Sequence, residues 1–181
     1  MDLQLVYDFI EQSNSSNSNN DKLEVLKTYT QYEIVRQTLY YTYNTFKQYG
    51  VTSQNCKKNS HLVKYGYTNL FKLLDDLNDR YLTGHEAISY VNGFVDVNRS
   101  YEDIIWNVID RNLKTRSTTS MINKVYPGLI PTFDVALANA YNDKTAKKIR
   151  WSDGWYVSRK LDGCLHESTI IEFEDGKKLT I

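Results

Sequence analysis

Lys160 is the residue of this chain whose setting best suits covalent chemistry. It closes an apolar run begun by Trp155, Tyr156 and Val157, and Leu161, Asp162 and Gly163 follow it at once. Trp, Tyr and Val favour strands and Asp-Gly is a turn signal, so the local expectation is a strand that delivers a lysine to its end and then turns. A lysine partly stripped of water there has a lowered pKa, and its amine becomes a nucleophile. Asp162 balances charge beside it. The same letters also fit a solvated lysine before an ordinary turn, and Lys-Leu-Asp-Gly alone does not separate the two readings.

A second group of residues suits phosphate. Arg111, Lys114, Arg116 and Lys124 lie in a stretch with no acidic residue between Arg111 and Phe133, among Ser117, Thr118, Thr119 and Ser120. Hydroxyl residues just before Met121, Ile122 and Val125 read as a helix start, whose free N–H groups and partial positive charge attract phosphate oxygens. Basic side chains around it add the sequence-independent term of DNA affinity. The alternative is a solvated basic face with a serine cap, which overall neutrality favours: Lys+Arg and Asp+Glu both total 22. His61, His85 and His166 are scattered, and no Cys/His spacing suits zinc, so no metal ligands are assigned.

The elements that must hold these groups follow from periodicity. The 181 residues, 41% hydrophobic and 24% charged, suit one domain and part of a second. No apolar run reaches the ~20 residues of a membrane span, and the acidic start MDLQLVYDFIEQ is not a secretory signal. Cys56 and Cys164 are the two cysteines, which fits a reducing cytoplasm. Helical spacing marks 3–12 and a helix capped by Asp21. Ile34, Val35, Leu39, Tyr43 and Phe46 form a third stripe, stopped near Gly50. The polar run 13–20 reads as a surface connection, and 51–67 as irregular. Thr68 opens a further helix to Arg80, Gly84 to Val95 is another, and Ser100 with Asp103 caps one running to Leu113. Tyr40, Tyr41, Tyr43 and Tyr49 form either a ligand-facing aromatic surface or, as their helical context favours, part of the core. Pro127 and Pro131, the only prolines, mark a domain boundary. A second basic cluster, Lys144, Lys147, Lys148 and Arg150, precedes the lysine-bearing strand.

The run RNLKTRSTTSMINKVYPGLIP, then ALANAYN, then WYVSRKLDG resembles the ATP-dependent DNA ligases of the T-even-phage type; the K-x-D-G frame itself is shared with mRNA-capping enzymes. The resemblance implies an α+β chain: an all-α helical DNA-binding domain over 1–130, and the first strands of a nucleotidyltransferase (adenylation) domain over 131–163. It implies ATP as substrate and a divalent cation, Mg²⁺, to offset phosphate charge. Lys160 would carry AMP, and Ser158, Arg159, Leu161, Asp162 and Gly163 would line the nucleotide pocket. Ser158 stands where relatives often have an acidic or amide side chain. Arg111, Lys114, Arg116 and Lys124 would touch the backbone of nicked double-stranded DNA.

Residues 164–181, CLHESTIIEFEDGKKLTI, depart from a ligase continuation. Ile170, Ile171 and Phe173 before Asp175-Gly176, with Leu179 and Ile181 after, form a short β-hairpin by pattern. The segment resembles the first block of an intein. That resemblance makes Cys164 the first residue of a split-intein piece, Gly163–Cys164 the splice junction, and a second chain the partner that completes the ligase. The chain alone is then expected to be inactive. A truncated ligase serving as a stand-alone helical DNA-binding module is the alternative.

Overall fold

The computed structural model describes residues 3–132, 143–147, 152, 170–172 and 178–180. The chain divides into two compact units, Met1–Asp134 and Val135–Ile181.

Among the described residues, eight α-helices form the first unit. α1 (Leu3–Asn14) buries Leu3, Val6 and Phe9. α2 (Asn19–Thr28) starts earlier than expected, because Ser18 caps it and takes the N–H of Asp21. Asp21 instead sits in the first turn, where its carboxylate accepts the Ser16 hydroxyl at 2.6 Å. Of the polar run 13–20, residues 13–14 therefore end α1, 19–20 begin α2, and 15–18 connect and cap them. α3 (Glu33–Tyr43) buries Val35, Thr38 and Leu39 and stops before Phe46. Asn44 ends it, offering its side chain to the Phe46 N–H at 3.0 Å in place of the helical ladder. Phe46 is thus no part of the apolar stripe; it is 65% exposed.

α4 (Ser53–Lys58) lies in the stretch expected to be irregular, capped by Thr52. α5 (Leu70–Asn78) is capped by Asn69, not opened by Thr68, and buries Leu70, Phe71, Leu73, Leu74 and Leu77. α6 (Gly84–Val97) runs slightly beyond Val95. A 3₁₀ turn (Arg99–Tyr101) then leads into α7 (Glu102–Ile109), so Ser100 lies inside that turn and caps nothing. α7 ends four residues short of Leu113, which is nonetheless fully buried. α8 (Thr119–Val125) closes the unit with Thr118 as its cap.

One core serves all eight helices: α1 packs on α2 and α3, α2 on α8, α3 on α5 and α7, and α4 and α5 on α6. Tyr41, Tyr43 and Tyr49 follow the packing reading. Tyr41 stacks on Phe71 at 5.0 Å and donates to Asp75 at 2.8 Å, and buried Tyr49 donates to the Tyr41 carbonyl.

The described part of the second unit holds α9 (Asp143–Ala146) and the antiparallel strands β1 (Ile170–Glu172) and β2 (Lys178–Thr180), with Ile171 opposite Leu179. The first unit is helical throughout its described residues, so the α+β expectation reduces to the helical domain there. The expected strand at Trp155–Val157 and residues Ser158 to Cys164 lie outside the described residues. No helix among the described residues is long and apolar enough to cross a membrane.

Candidate nucleic-acid interface

The basic stretch is a loop built by the end of α7. Arg111 adopts φ 61, the left-handed conformation that ends helices and that glycine usually occupies. Its N–H returns to the Val108 carbonyl at 3.0 Å, and the Asn112 N–H reaches Asn107 at 2.8 Å, which satisfies the last carbonyls of α7. The guanidinium then donates to the carbonyls of Asn44 at 2.7 Å and Lys47 at 2.9 Å. The resemblance points Arg111 at DNA; in the fold two of its guanidinium nitrogens hold two loops together.

From Leu113 the loop alternates. Leu113, Thr115 and Ser117 are buried, while Lys114, Arg116 and Thr118 point outward. Lys114 and Arg116 also have left-handed backbones, φ 58 and 55. Asn112 supports the first, accepting the Lys114 N–H at 2.9 Å. Arg116 donates to Asn17 Oδ1 at 2.9 Å, so the 15–18 connection meets the basic loop. Lys124 is exposed on α8. None of the ion pairs among the described residues uses Arg111, Lys114, Arg116 or Lys124. Several other cations of the unit are spoken for: Lys47 by Asp75, Lys64 by Glu86, Lys72 by Asp76 and Arg99 by Asp96. The loop therefore presents cations with no carboxylate partner, the condition for attracting phosphate.

The segment after α8 is pinned by Asn123. Its side chain accepts the Ile130 N–H at 2.9 Å and donates to the Ile130 carbonyl at 2.8 Å, folding Pro127-Gly128-Leu129 back on the helix. Between this fold-back and α3 lies an open cavity of about 640 Å³ lined by Glu33, Arg36, Tyr40, Tyr126 and Pro127 among others.

No protein-family model matches the chain. Curated relatives include the DNA ligases of Enterobacteria phage T4 and Enterobacteria phage T6, each 28% identical over 174 residues. This chain is similar to phage DNA ligase. The match covers 92% of the chain, which spans 35% of the length of those relatives. Among solved structures, Pmar-Lig_PreS3 and Pmar-Lig_Pre. superpose with TM-scores of 0.58 and 0.55 at 19% identity, covering 78% of this chain and 34% of theirs. At that identity the likeness is one of fold.

Of the residues singled out from sequence, the fold brings Lys114 and Arg116 onto one loop, sets Lys124 on the next helix and turns Arg111 inward. Lys160, Cys164, Ser158, Arg159, Leu161, Asp162 and Gly163 lie outside the described residues. Sequence reading missed Asn17, which sits in a low-complexity run, and Asn44 and Lys47, which meet Arg111 through carbonyls. A backbone acceptor leaves no letter to read.

Proposed function

We propose that this chain is the N-terminal part of an ATP-dependent DNA ligase. The observation that carries the reading is the similarity to phage DNA ligases across 92% of the chain. The unpaired cations of the 111–124 segment support it: a domain that grips nicked duplex needs side chains free to replace condensed counterions at phosphates. Lys114, Arg116 and Lys124 take that role, and Arg111 positions their loop.

In this reading Lys160 Nζ attacks the α-phosphorus of the substrate ATP and pyrophosphate leaves, giving a lysine-linked AMP. The AMP passes to the 5′-phosphate of a nick, and the 3′-hydroxyl displaces it. Ser158, Arg159, Leu161, Asp162 and Gly163 line the nucleotide. A divalent cation, Mg²⁺, supplies charge neutralisation at the phosphates. Residues 164–181 belong to a split-intein piece. The Cys164 thiol attacks the Gly163 carbonyl, the Cys164 amine leaves, and the resulting thioester is passed to a second chain that supplies the remaining ligase. Gly163 lacks a Cβ to hinder that attack.

The experiment mixes the chain with a candidate partner and radiolabelled ATP. A spliced product that carries label, lost in Lys160→Ala with splicing intact and blocked from splicing in Cys164→Ala, is the expected result. Label persisting in Lys160→Ala would remove the nucleophile assignment. For the DNA face, Lys114→Ala and Arg116→Ala each reduce the slope of log affinity against log salt by about 0.9 on duplex; unchanged slopes sink that surface. A second reading, a stand-alone helical DNA-binding module, is favoured by the single core shared by the helices of the first unit. It predicts duplex binding with no adenylate under any complementation.

A further inference from the structure

Between α3 and α4 the chain makes a tight turn whose tip is an exposed ring. The Lys47 N–H returns to the Asn44 carbonyl at 3.1 Å, and the Phe46 N–H is held by Asn44 Oδ1 at 3.0 Å. Arg111 clamps both ends of the same turn through its two carbonyl contacts, and Lys47 Nζ is fixed to Asp75 at 2.6 Å. The next residue, Gln48, donates its N–H to Asn78 Oδ1 at 3.0 Å. Exposed loop tips are ordinarily polar and weakly held. This one is anchored from three sides, and its apolar side chain, Phe46, is 65% exposed. Such anchoring displays a ring that the fold itself does not bury.

The surroundings say what the ring faces. α3, α5 and α7 end at the same end of the bundle, and the loops after them are tied to one another by Arg111 and Asn78. Arg80 and Arg111 occupy the left-handed positions just after α5 and α7, at φ 65 and 61. The loop that Arg111 begins carries Lys114 and Arg116, which have no carboxylate partners. Of the acids near this end, Asp75 is engaged by Tyr41 and Lys47 and Asp110 by the Ser53 N–H and hydroxyl, while exposed Asp79 accepts from the Asn78 amide. An exposed aromatic on a turn clamped by the residue that begins the basic loop complements a surface that alternates phosphate with apolar sugar and base faces.

We propose that Phe46 is an apolar contact for duplex DNA, its ring lying against the sugar and base faces of the minor groove while Lys114 and Arg116 hold the flanking phosphates. Proteins that read this groove commonly add such a wedge to a basic grip. The proposal rests on the reading that the 111–124 loop binds DNA. The rigidity of the turn is what makes the ring useful, because little conformational freedom remains to be lost on binding.

The test uses the full 181-residue chain and a fluorescein-labelled nicked duplex across a salt series. Phe46→Ala weakens binding on the order of tenfold, the scale of one aromatic contact to a base. It leaves the salt slope unchanged, because the ring carries no charge, whereas Lys114→Ala lowers the slope. Phe46→Trp provides a second readout: its emission, over that of the parent tryptophans, is quenched or shifted when duplex is added. Wild-type affinity in Phe46→Ala together with a lowered slope in Lys114→Ala overturns the wedge and keeps the basic loop. Unchanged slopes in both Lys114→Ala and Arg116→Ala remove the DNA reading and the wedge with it. Emission of the Phe46→Trp variant that does not respond to saturating duplex also overturns the proposal. Loss of a dimer in Phe46→Ala without DNA does the same, since it assigns the ring to a second copy of the chain.

Discussion

Arg111 sits in a backbone conformation that costs an L-residue about 1 kcal/mol relative to glycine. Its two hydrogen bonds to the Asn44 and Lys47 carbonyls, at 2.7 and 2.9 Å, offset that cost. Charge-assisted bonds of this kind are worth about 1.5–3 kcal/mol each, and their carbonyls are left wanting when the donor goes. Arg111→Ala should therefore lower unfolding free energy in urea by about 2–4 kcal/mol. Arg111→Gly should lose roughly 1 kcal/mol less, since glycine takes φ 61 without strain. Equal losses in the two would show that the backbone term is absent. Arg111→Lys should rescue little, because one ammonium does not reproduce the planar fork.

Cys56 makes a second residue-scale case. Burial pushes its thiol up to about 11, with the charge of Asp110 adding to the effect. It is 0% exposed. A thiol that is both protonated at neutral pH and enclosed reacts only when the fold opens. Alkylation of Cys56 by iodoacetamide, followed by mass spectrometry, should be negligible in buffer and complete in denaturant. Rapid native-state labelling at this residue would contradict the packing of α4.

At the scale of elements, α4 and the segment after it are held by one face of α6. Asn92 places its amide within hydrogen-bond distance of the carbonyls of Cys56, Asn59 and Leu62, at 3.2, 3.0 and 3.0 Å. Gly93, next to it, lets the backbone of Lys64 approach: a Cβ there would lie 2.1 Å from the Lys64 carbonyl oxygen. Alanine is the better helix former by up to ~1 kcal/mol. Overpacking against fixed backbone outweighs that gain, so Gly93→Ala should destabilise by about 1–3 kcal/mol or more. A thermal midpoint at or above the parent's would show that the 62–64 segment yields freely. This architecture also explains why α4 is illegible in the sequence. It is six residues long with Cys56 as its buried member, too short to display a period, and its stability comes from Asn92 and from Asp110 capping Ser53. The long helices carry their own signal. Leu70, Leu73, Leu74 and Leu77 line one side of α5, and Leu3, Val6 and Phe9 one side of α1.

For the molecule as a whole, Asp76 and Tyr67 contribute to opposite edges of a stability plateau. Asp76 accepts from Lys72 at 2.8 Å and from Tyr67 at 2.6 Å, and these bonds, Lys72's first, hold its carboxyl below the usual value of 3.8. A depressed carboxylate contributes stability above its unfolded value and loses it as pH falls through the folded one. Tyr67 moves the other way, raised from 10.0 to about 12 by burial first and the Asp76 bond second. Its contribution is full below 10.0 and is lost as pH rises toward about 12. Thermal midpoints should fall at both edges. Asp76→Asn should soften the acid edge and Tyr67→Phe the alkaline edge, which Tyr41 and Tyr49, also raised by burial, share. An acid edge unaltered in Asp76→Asn would mean that other carboxylates govern it.

The sequence by itself determined most of the helices and the acid-free basic stretch, because amphipathic period and charge composition are local properties. It also carried the KLDG frame and the NKVYPGLIP segment on which the resemblance rests. Only the tertiary structure decided which of those basic residues face outward, and that a ring read as core stands exposed. The physical reason is separation: Arg111 meets Asn44 and Lys47 across 67 and 64 positions, through backbone carbonyls that every residue possesses. A partner of that kind is fixed by packing, and no spacing of residue types announces it.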